Sequence, residues 1–210
     1  MPIPIIGAAI VGVAIVGGIY KYFSEDEEDN ASDNKNKKFE YGSTIIIGPQ
    51  RSGKTHLANW LVDNKLLDEY IPTDYTMKIK DFLDYSGHYE DANYWENDIK
   101  DKTNIFYLFD LKKFINQVNY ENGNKKYNDV VINQISFFTE HLKEKVKDKK
   151  IIIIGTHFDK IDNAKAQEII SKLKNNNIDL GKARIIYGSL DNKENAYKLE
   201  QKIINVLKEF

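Results

Sequence analysis

The sequence predicts an α/β domain with a mostly parallel central sheet and helices on both faces, preceded by one membrane-spanning helix. Three observations carry this. Strand and helix patterns alternate from residue 39 to the end, the order that builds parallel sheets. One β-branched run leads into Gly48-Pro-Gln-Arg-Ser-Gly53-Lys54-Thr55 and then a helical pattern. An uncharged apolar stretch, residues 2–20, opens the chain.

The 210 residues are 41% hydrophobic and 30% charged, enough for one ordinary domain with a core plus a short appendage. Lys and Arg number 30 against 32 Asp and Glu, for a net charge of -2. That balance gives no electrostatic footprint for nucleic acid, which is not expected as a partner. The chain has no cysteine, which excludes disulfides, thiolate metal sites and cysteine nucleophiles.

About 20 apolar residues cross a bilayer as a helix, and the opening stretch suffices. A cleaved signal peptide needs a basic start and a small-x-small site, but no Lys or Arg precedes it and Ile19-Tyr20-Lys21-Tyr22 is a poor site. A core helix would show a polar side, and none is present. Residues 2–23 are therefore expected to be a membrane anchor. Lys21, Lys35, Lys37 and Lys38 lie on its C-terminal side only, which places the rest of the chain on the cytoplasmic face. Tyr20, Tyr22 and Phe23 suit the interfacial aromatic belt. Ala8-x-x-x-Gly12 and Ala14-x-x-x-Gly18 would let two anchors pack as a weak homodimer. Residues 24–38 contain no apolar residue larger than alanine and form a charged, flexible tether. The folded domain covers 39–210.

Within it, 43–47 reads as a strand and 55–67 as a helix with Leu57, Trp60, Leu61 and Leu66 inward. Residues 75–83 read as extended, ending at Asp84, and 104–109 as an apolar strand ending at Asp110. Val131, Ile135, Phe138, Leu142 and Val146 share one face of a long helix over 128–147. The continuous run 151–154 is a strand buried on both faces. A helix over 164–174 and a strand over 183–187 follow. Asp191-x-x-Glu194 resembles a capping box. It opens a last helix with Ala196, Leu199, Ile203, Leu207 and Phe210 on one side. Residues 119–127 read as a polar loop with no role. His56 and His141 lack partners at metal-ligand spacing and read as structural.

Gly48-x4-Gly53-Lys54-Thr55 has the spelling of a phosphate-binding loop. Such a loop wraps a triphosphate with its own N–H groups, so the backbone must pass close to the anion, and glycine at both ends permits this. The following helix points its positive dipole end at the phosphates. Gln50, Arg51 and Ser52 fill the loop, Lys54 adds a mobile charge, and the Thr55 hydroxyl is a hard oxygen for Mg²⁺.

In an α/β sheet, working residues sit at the carboxyl ends of strands. Asp84-x-x-Gly87 follows one strand: its carboxylate would reach Mg²⁺ and the Gly87 N–H the terminal phosphate. Thr73 or Thr76 would complete the Mg²⁺ shell, with Thr73, after Pro72, preferred. Thr156-His157-Phe158-Asp159-Lys160 follows another strand. Asp159 can accept from the N1–H and exocyclic amine of guanine, a pair of donors that adenine lacks. Thr156 would tie this loop to the phosphate loop. The N–H groups of Ser189 and Leu190, after Gly188, could meet the guanine carbonyl.

In this order the motifs resemble the Ras-like small GTPases, over 39–210. Thr-His-x-Asp in place of Asn-Lys-x-Asp is most similar to the Roc branch. The anchor–tether–GTPase layout is similar to the beta subunit of the eukaryotic signal recognition particle receptor. The resemblance implies a P-loop GTPase fold, GTP/GDP with Mg²⁺, and a switch that recruits an effector protein to the membrane. It also implies that His88, after Gly87, orients the attacking water. The sequence departs from the pattern in three places. His157 must cover the base where a lysine stem is usual. The interval from Thr55 to Asp84 is short, as though a strand or part of a switch loop were missing. Gln50 and Arg51 stand beside the terminal phosphate where small residues are usual. Gln50 there suggests slow turnover, while Arg51 is either solvent-facing or a built-in cation for the developing charge. Tyr94 and Trp95 are either partner anchors or packed on a neighbouring helix. Two other functional classes stay open: a GTP-dependent binding module with little hydrolysis, and an ATP-using enzyme in which Asp159 is incidental.

Overall fold

In this computed structural model the described residues are 39–68, 76–85, 95–120, 125–161 and 182–210, with 165, 168, 169, 171 and 173. The chain divides into two units, Met1–Phe39 and Glu40–Phe210. The anchor and tether expected over 2–38 lie outside the described residues. Among the described residues no helix is long and apolar enough to cross a membrane.

The second unit is a mixed α/β structure around a mostly parallel sheet. The strands are β1 (Thr44–Ile47), β2 (Met77–Ile79), β3 (Phe82–Asp84), β4 (Asn104–Asp110), β7 (Lys150–Thr156) and β8 (Arg184–Tyr187), in the order β2-β3-β1-β4-β7-β8. Only β2 runs antiparallel to its neighbour. β4 and β7 are the longest strands, and their unbroken Ile, Phe, Tyr and Leu runs are buried. That is the expected signature of strands covered on both faces. Side chains alternate across the pleat. Tyr107 reaches one side, its hydroxyl donating to Gln134 Oε1 (3.0 Å) on α4 (Tyr127–Ser136). Phe106 faces the other, through Phe82 to Tyr41. The Tyr41 hydroxyl and the Trp60 indole of α1 (Lys54–Asp63) both donate to Glu200 of α6 (Lys193–Glu209), at 2.8 and 3.0 Å.

Several elements differ from the sequence reading, each for a local reason. α1 stops at Asp63, not Leu67, because Asn64 turns left-handed (φ 53°) and its N–H bonds back to Trp60 O, a conformation Asn tolerates. Residues 75–83 do not form one extended run. They fold into the β2–β3 hairpin, with Lys80 at φ 52° in the turn. The hairpin occupies the described part of the interval before Asp84, and residues 69–75 lie outside the described residues. The long helix breaks after Ser136 into a π turn, Phe137–His141, where Leu142 N–H bonds to Phe137 O at 3.2 Å. α5 (Lys143–Val146) follows, with Leu142 and Val146 still buried. Of the helix expected over 164–174, the described residues are helical, with Ile169 and Leu173 in the core. The cap of α6 is Asn192, which accepts from Asn195 N–H, rather than Asp191. Phe210 is 40% exposed and is not part of the buried stripe. Trp95, at the start of α2 (Trp95–Ile99), is fully buried, which settles it as packing. Tyr94 lies outside the described residues.

The described ends of the polar stretch at 119–127 are paired rather than irregular. β5 (Asn119–Tyr120) and β6 (Lys125–Lys126) pair as a small ribbon after α3 (Leu111–Ile115). Tyr120 and Tyr127 turn inward, with ring centroids 5.8 Å apart.

Candidate functional site

The carboxyl ends of β1, β3, β4, β7 and β8 share one edge of the sheet, because these strands run parallel. A cleft of about 630 Å³ opens there. Its walls bring together Gln50, Arg51, Ser52, Gly53, Lys54 and Thr55 from the β1–α1 loop. Thr156, His157, Asp159 and Lys160 come from beyond β7, and Ser189 and Leu190 from beyond β8.

The β1–α1 loop is shaped by its backbone. Gly48 (φ 136°) lies against β4, where an added Cβ would sit 2.0 Å from Leu108 O. Arg51 (φ 60°) and Gly53 (φ 91°) are also left-handed. Gly53 is the N-cap of α1 and offers no side-chain cap, so the first N–H groups of a ten-residue helix face the loop's concavity. Lys54 is buried, and its ammonium donates to Pro49 O at 3.0 Å. Ser52 is buried too, with no partner for its hydroxyl.

Thr55 and Asp84 meet beside the loop: the Thr55 hydroxyl donates to Asp84 Oδ2 at 2.6 Å. Asp84 is fully buried, and its Oδ1 has no hydrogen-bond partner. Burial pushes its carboxyl above the ordinary range, against the Thr55 hydrogen bond and the Lys54 charge. Two hard oxygens, one of them orphaned, suit Mg²⁺, which takes one or two protein oxygens and fills its shell with phosphate and water. Among the described residues no group of three or more His, Cys, Asp or Glu side chains could hold a metal ion. Thr76 is exposed. Thr73, Gly87 and His88 lie outside the described residues.

At the other end, His157 turns left-handed (φ 58°) to start the 3₁₀ turn Phe158–Lys160, a conformation for which His is enriched among non-glycine residues. Asp159 Oδ1 accepts from Ser189 Oγ and Oδ2 pairs with Lys160 Nζ, both at 2.5 Å. Burial raises its carboxyl, but the bonds from Lys160 and Ser189 outweigh this and hold it below its ordinary value. The loops after β7 and β8 are tied by Phe158 N–H to Gly188 O (3.1 Å) and by the Phe158 ring stacked on Tyr187.

One side chain joins the two ends. The Thr156 hydroxyl lies 2.9 Å from Ser52 O in the first loop and 3.1 Å from Phe109 O in β4. The sequence reading had given Thr156 this tie.

The sequence assigns no role to the wall contributed by Asp110 at the end of β4 and Lys113 of α3, nor to the β5–β6 ribbon behind the first loop. Asp110 caps α3 by accepting from Lys113 N–H, and its Oδ2 lies 3.4 Å from His157 Nδ1. The Tyr120 hydroxyl accepts from Gln50 N–H (3.2 Å), and the Tyr127 hydroxyl from Asp110 N–H (2.9 Å). The available signal was position: Asp110 ends a strand, as Asp84 does. His56, read as structural, also lines the cleft. His56 Nε2 is 2.9 Å from Leu67 O, and the His141 ring lies on Phe137.

No protein-family model matches the chain, and no curated protein is significantly similar to it in sequence.

Proposed function

We propose that this chain is a GTP-binding protein with the P-loop GTPase fold. It acts as a slow, Mg²⁺-dependent GTPase and switches partner recruitment at the cytoplasmic face of a membrane. The observation that carries the reading is the paired Thr55 hydroxyl and Asp84 carboxylate, with one orphaned buried oxygen, at the mouth of a left-handed glycine loop. The same cleft continues to Asp159. A sheet in the order β2-β3-β1-β4-β7-β8, with only β2 reversed, is consistent with the fold.

In this reading the loop amides and Lys54 hold the phosphates of GTP. Thr55 and Asp84 would hold Mg²⁺, whose chemistry would be charge neutralisation. Ser189 and Lys160 keep Asp159 ionised, ready to accept from the guanine N1–H and amine. Water would be oriented by His88, and Arg51, which lines the cleft, would stand as a cation for the developing charge. The membrane part rests on the sequence of residues 2–23. Without a supplied arginine, turnover is expected at about 10⁻⁴ to 10⁻² per second. A binding module with little hydrolysis is the second reading, favoured by Gln50, whose N–H is held by Tyr120 at the loop's outer edge. Single-turnover hydrolysis separates the two.

The deciding experiment is the mass of the nucleotide retained by the purified protein, followed by competition between GTP and ATP. Guanine nucleotide is expected. Equal competition by ATP would overturn the assignment of Asp159 and favour an ATP-using enzyme.

A further inference from the structure

We propose that Lys113 is a nucleotide-binding residue whose ammonium contacts the phosphate nearest the sugar of a bound guanosine diphosphate or triphosphate. This rests on the reading of the cleft above and deepens it. Lys113 lines the same cleft as the 48–55 loop and the 156–160 loop but comes from a different element, α3. Its carboxylate neighbour, Asp110, faces His157 of the base-side loop. On the other side the charge of Arg51, in the phosphate loop, is close enough to disfavour the Lys113 ammonium. Lys113 therefore stands between the two grips, where a ligand spanning them must pass its sugar and first phosphate.

The chemistry of the side chain agrees. Its main-chain N–H already serves the Asp110 cap at 2.9 Å, so the ammonium is not needed for that. Nζ makes a long ion pair with Asp110 Oδ2 at 3.7 Å, against the 2.7–2.9 Å of a charge-assisted hydrogen bond. The ammonium also stands over the Tyr127 ring, with Nζ 5.6 Å from the centroid. Burial holds its ammonium below the ordinary lysine range, Asp110 opposing this and Arg51 adding to it. A phosphate oxygen would offset that desolvation. The other lysines of the cleft serve its ends, Lys54 at the loop and Lys160 at Asp159.

The test uses the full chain in detergent, titrated with GDP and with guanosine. Lys113→Met is expected to weaken GDP about tenfold, the scale of one charge-assisted hydrogen bond. Guanosine affinity should be unchanged, and Lys113→Arg should retain GDP. In the unmodified protein, GDP but not guanosine should slow acylation of Lys113 by an amine-reactive reagent, read by peptide mass. GDP affinity unchanged in Lys113→Met, an equal loss for guanosine, or labelling indifferent to GDP would overturn the proposal. Failure of the unmodified chain to bind GDP would sink the reading of the cleft and this assignment together. Binding by that chain alongside an indifferent Lys113→Met would sink this assignment alone.

Discussion

The two ends of the cleft are built by different means. At the β1–α1 loop the shape is set by the backbone, by where a Cβ cannot fit, most severely at Gly48. At the β7 end one carboxylate is held in place by two side chains, Ser189 and Lys160. A backbone grip recognises what all nucleotides share, their phosphates. A side-chain grip recognises one base by its pattern of donors. Substitutions at the two ends should therefore fail differently.

Lys54→Ala should have the largest effect, weakening GTP and GDP alike by about 3–5 kcal/mol, the scale of stripping one member from a buried charged pair. Calorimetric titration measures it, and a loss confined to one nucleotide would blur the contrast. Gly48→Ala should reduce stability by about 3 kcal/mol, because the new methyl meets a strand carbonyl and the backbone is strained. Denaturant unfolding without nucleotide reads this directly. Asp159→Asn should lower GTP affinity by about 2 kcal/mol, through mismatched donors, and raise preference for xanthine nucleotides while leaving stability nearly unchanged. Unchanged GTP affinity would remove the specificity half of the comparison.

Asp84→Asn should have the smallest effect and the opposite sign for stability. Burial raises the Asp84 carboxyl in the folded chain. Its contribution to stability is therefore complete below the unfolded value of about 3.9 and is lost as pH rises through the folded value. At pH 7 without Mg²⁺ the variant should gain about 1 kcal/mol, the order of one unmet desolvation cost, and lose the Mg²⁺-dependent tightening of nucleotide binding. Thermal unfolding with and without Mg²⁺ and GDP would check both.

The same contrast explains what the sequence made legible. A main-chain grip needs fixed spacing, so Gly48, Gly53, Lys54 and Thr55 stand out as a string. The buried strands were legible from their Ile and Phe runs. The middle wall was not: Tyr120 and Tyr127 sit among Asn, Lys and Gly, and composition gave no sign that both turn inward to meet main-chain N–H groups. The break in the long helix was also hidden, because its apolar spacing continues across the π turn. The β2–β3 hairpin was hidden for another reason. Each strand has three residues, too few for alternation to register.

The position of Thr156 has a mechanical consequence. A single hydroxyl near Ser52 O and Phe109 O fastens the β1–α1 loop, the central strand β4 and the loop after β7 into one frame. What displaces one of these loops therefore bears on the other, while the edge hairpin stands outside the frame and meets it through the Asp84–Thr55 hydrogen bond.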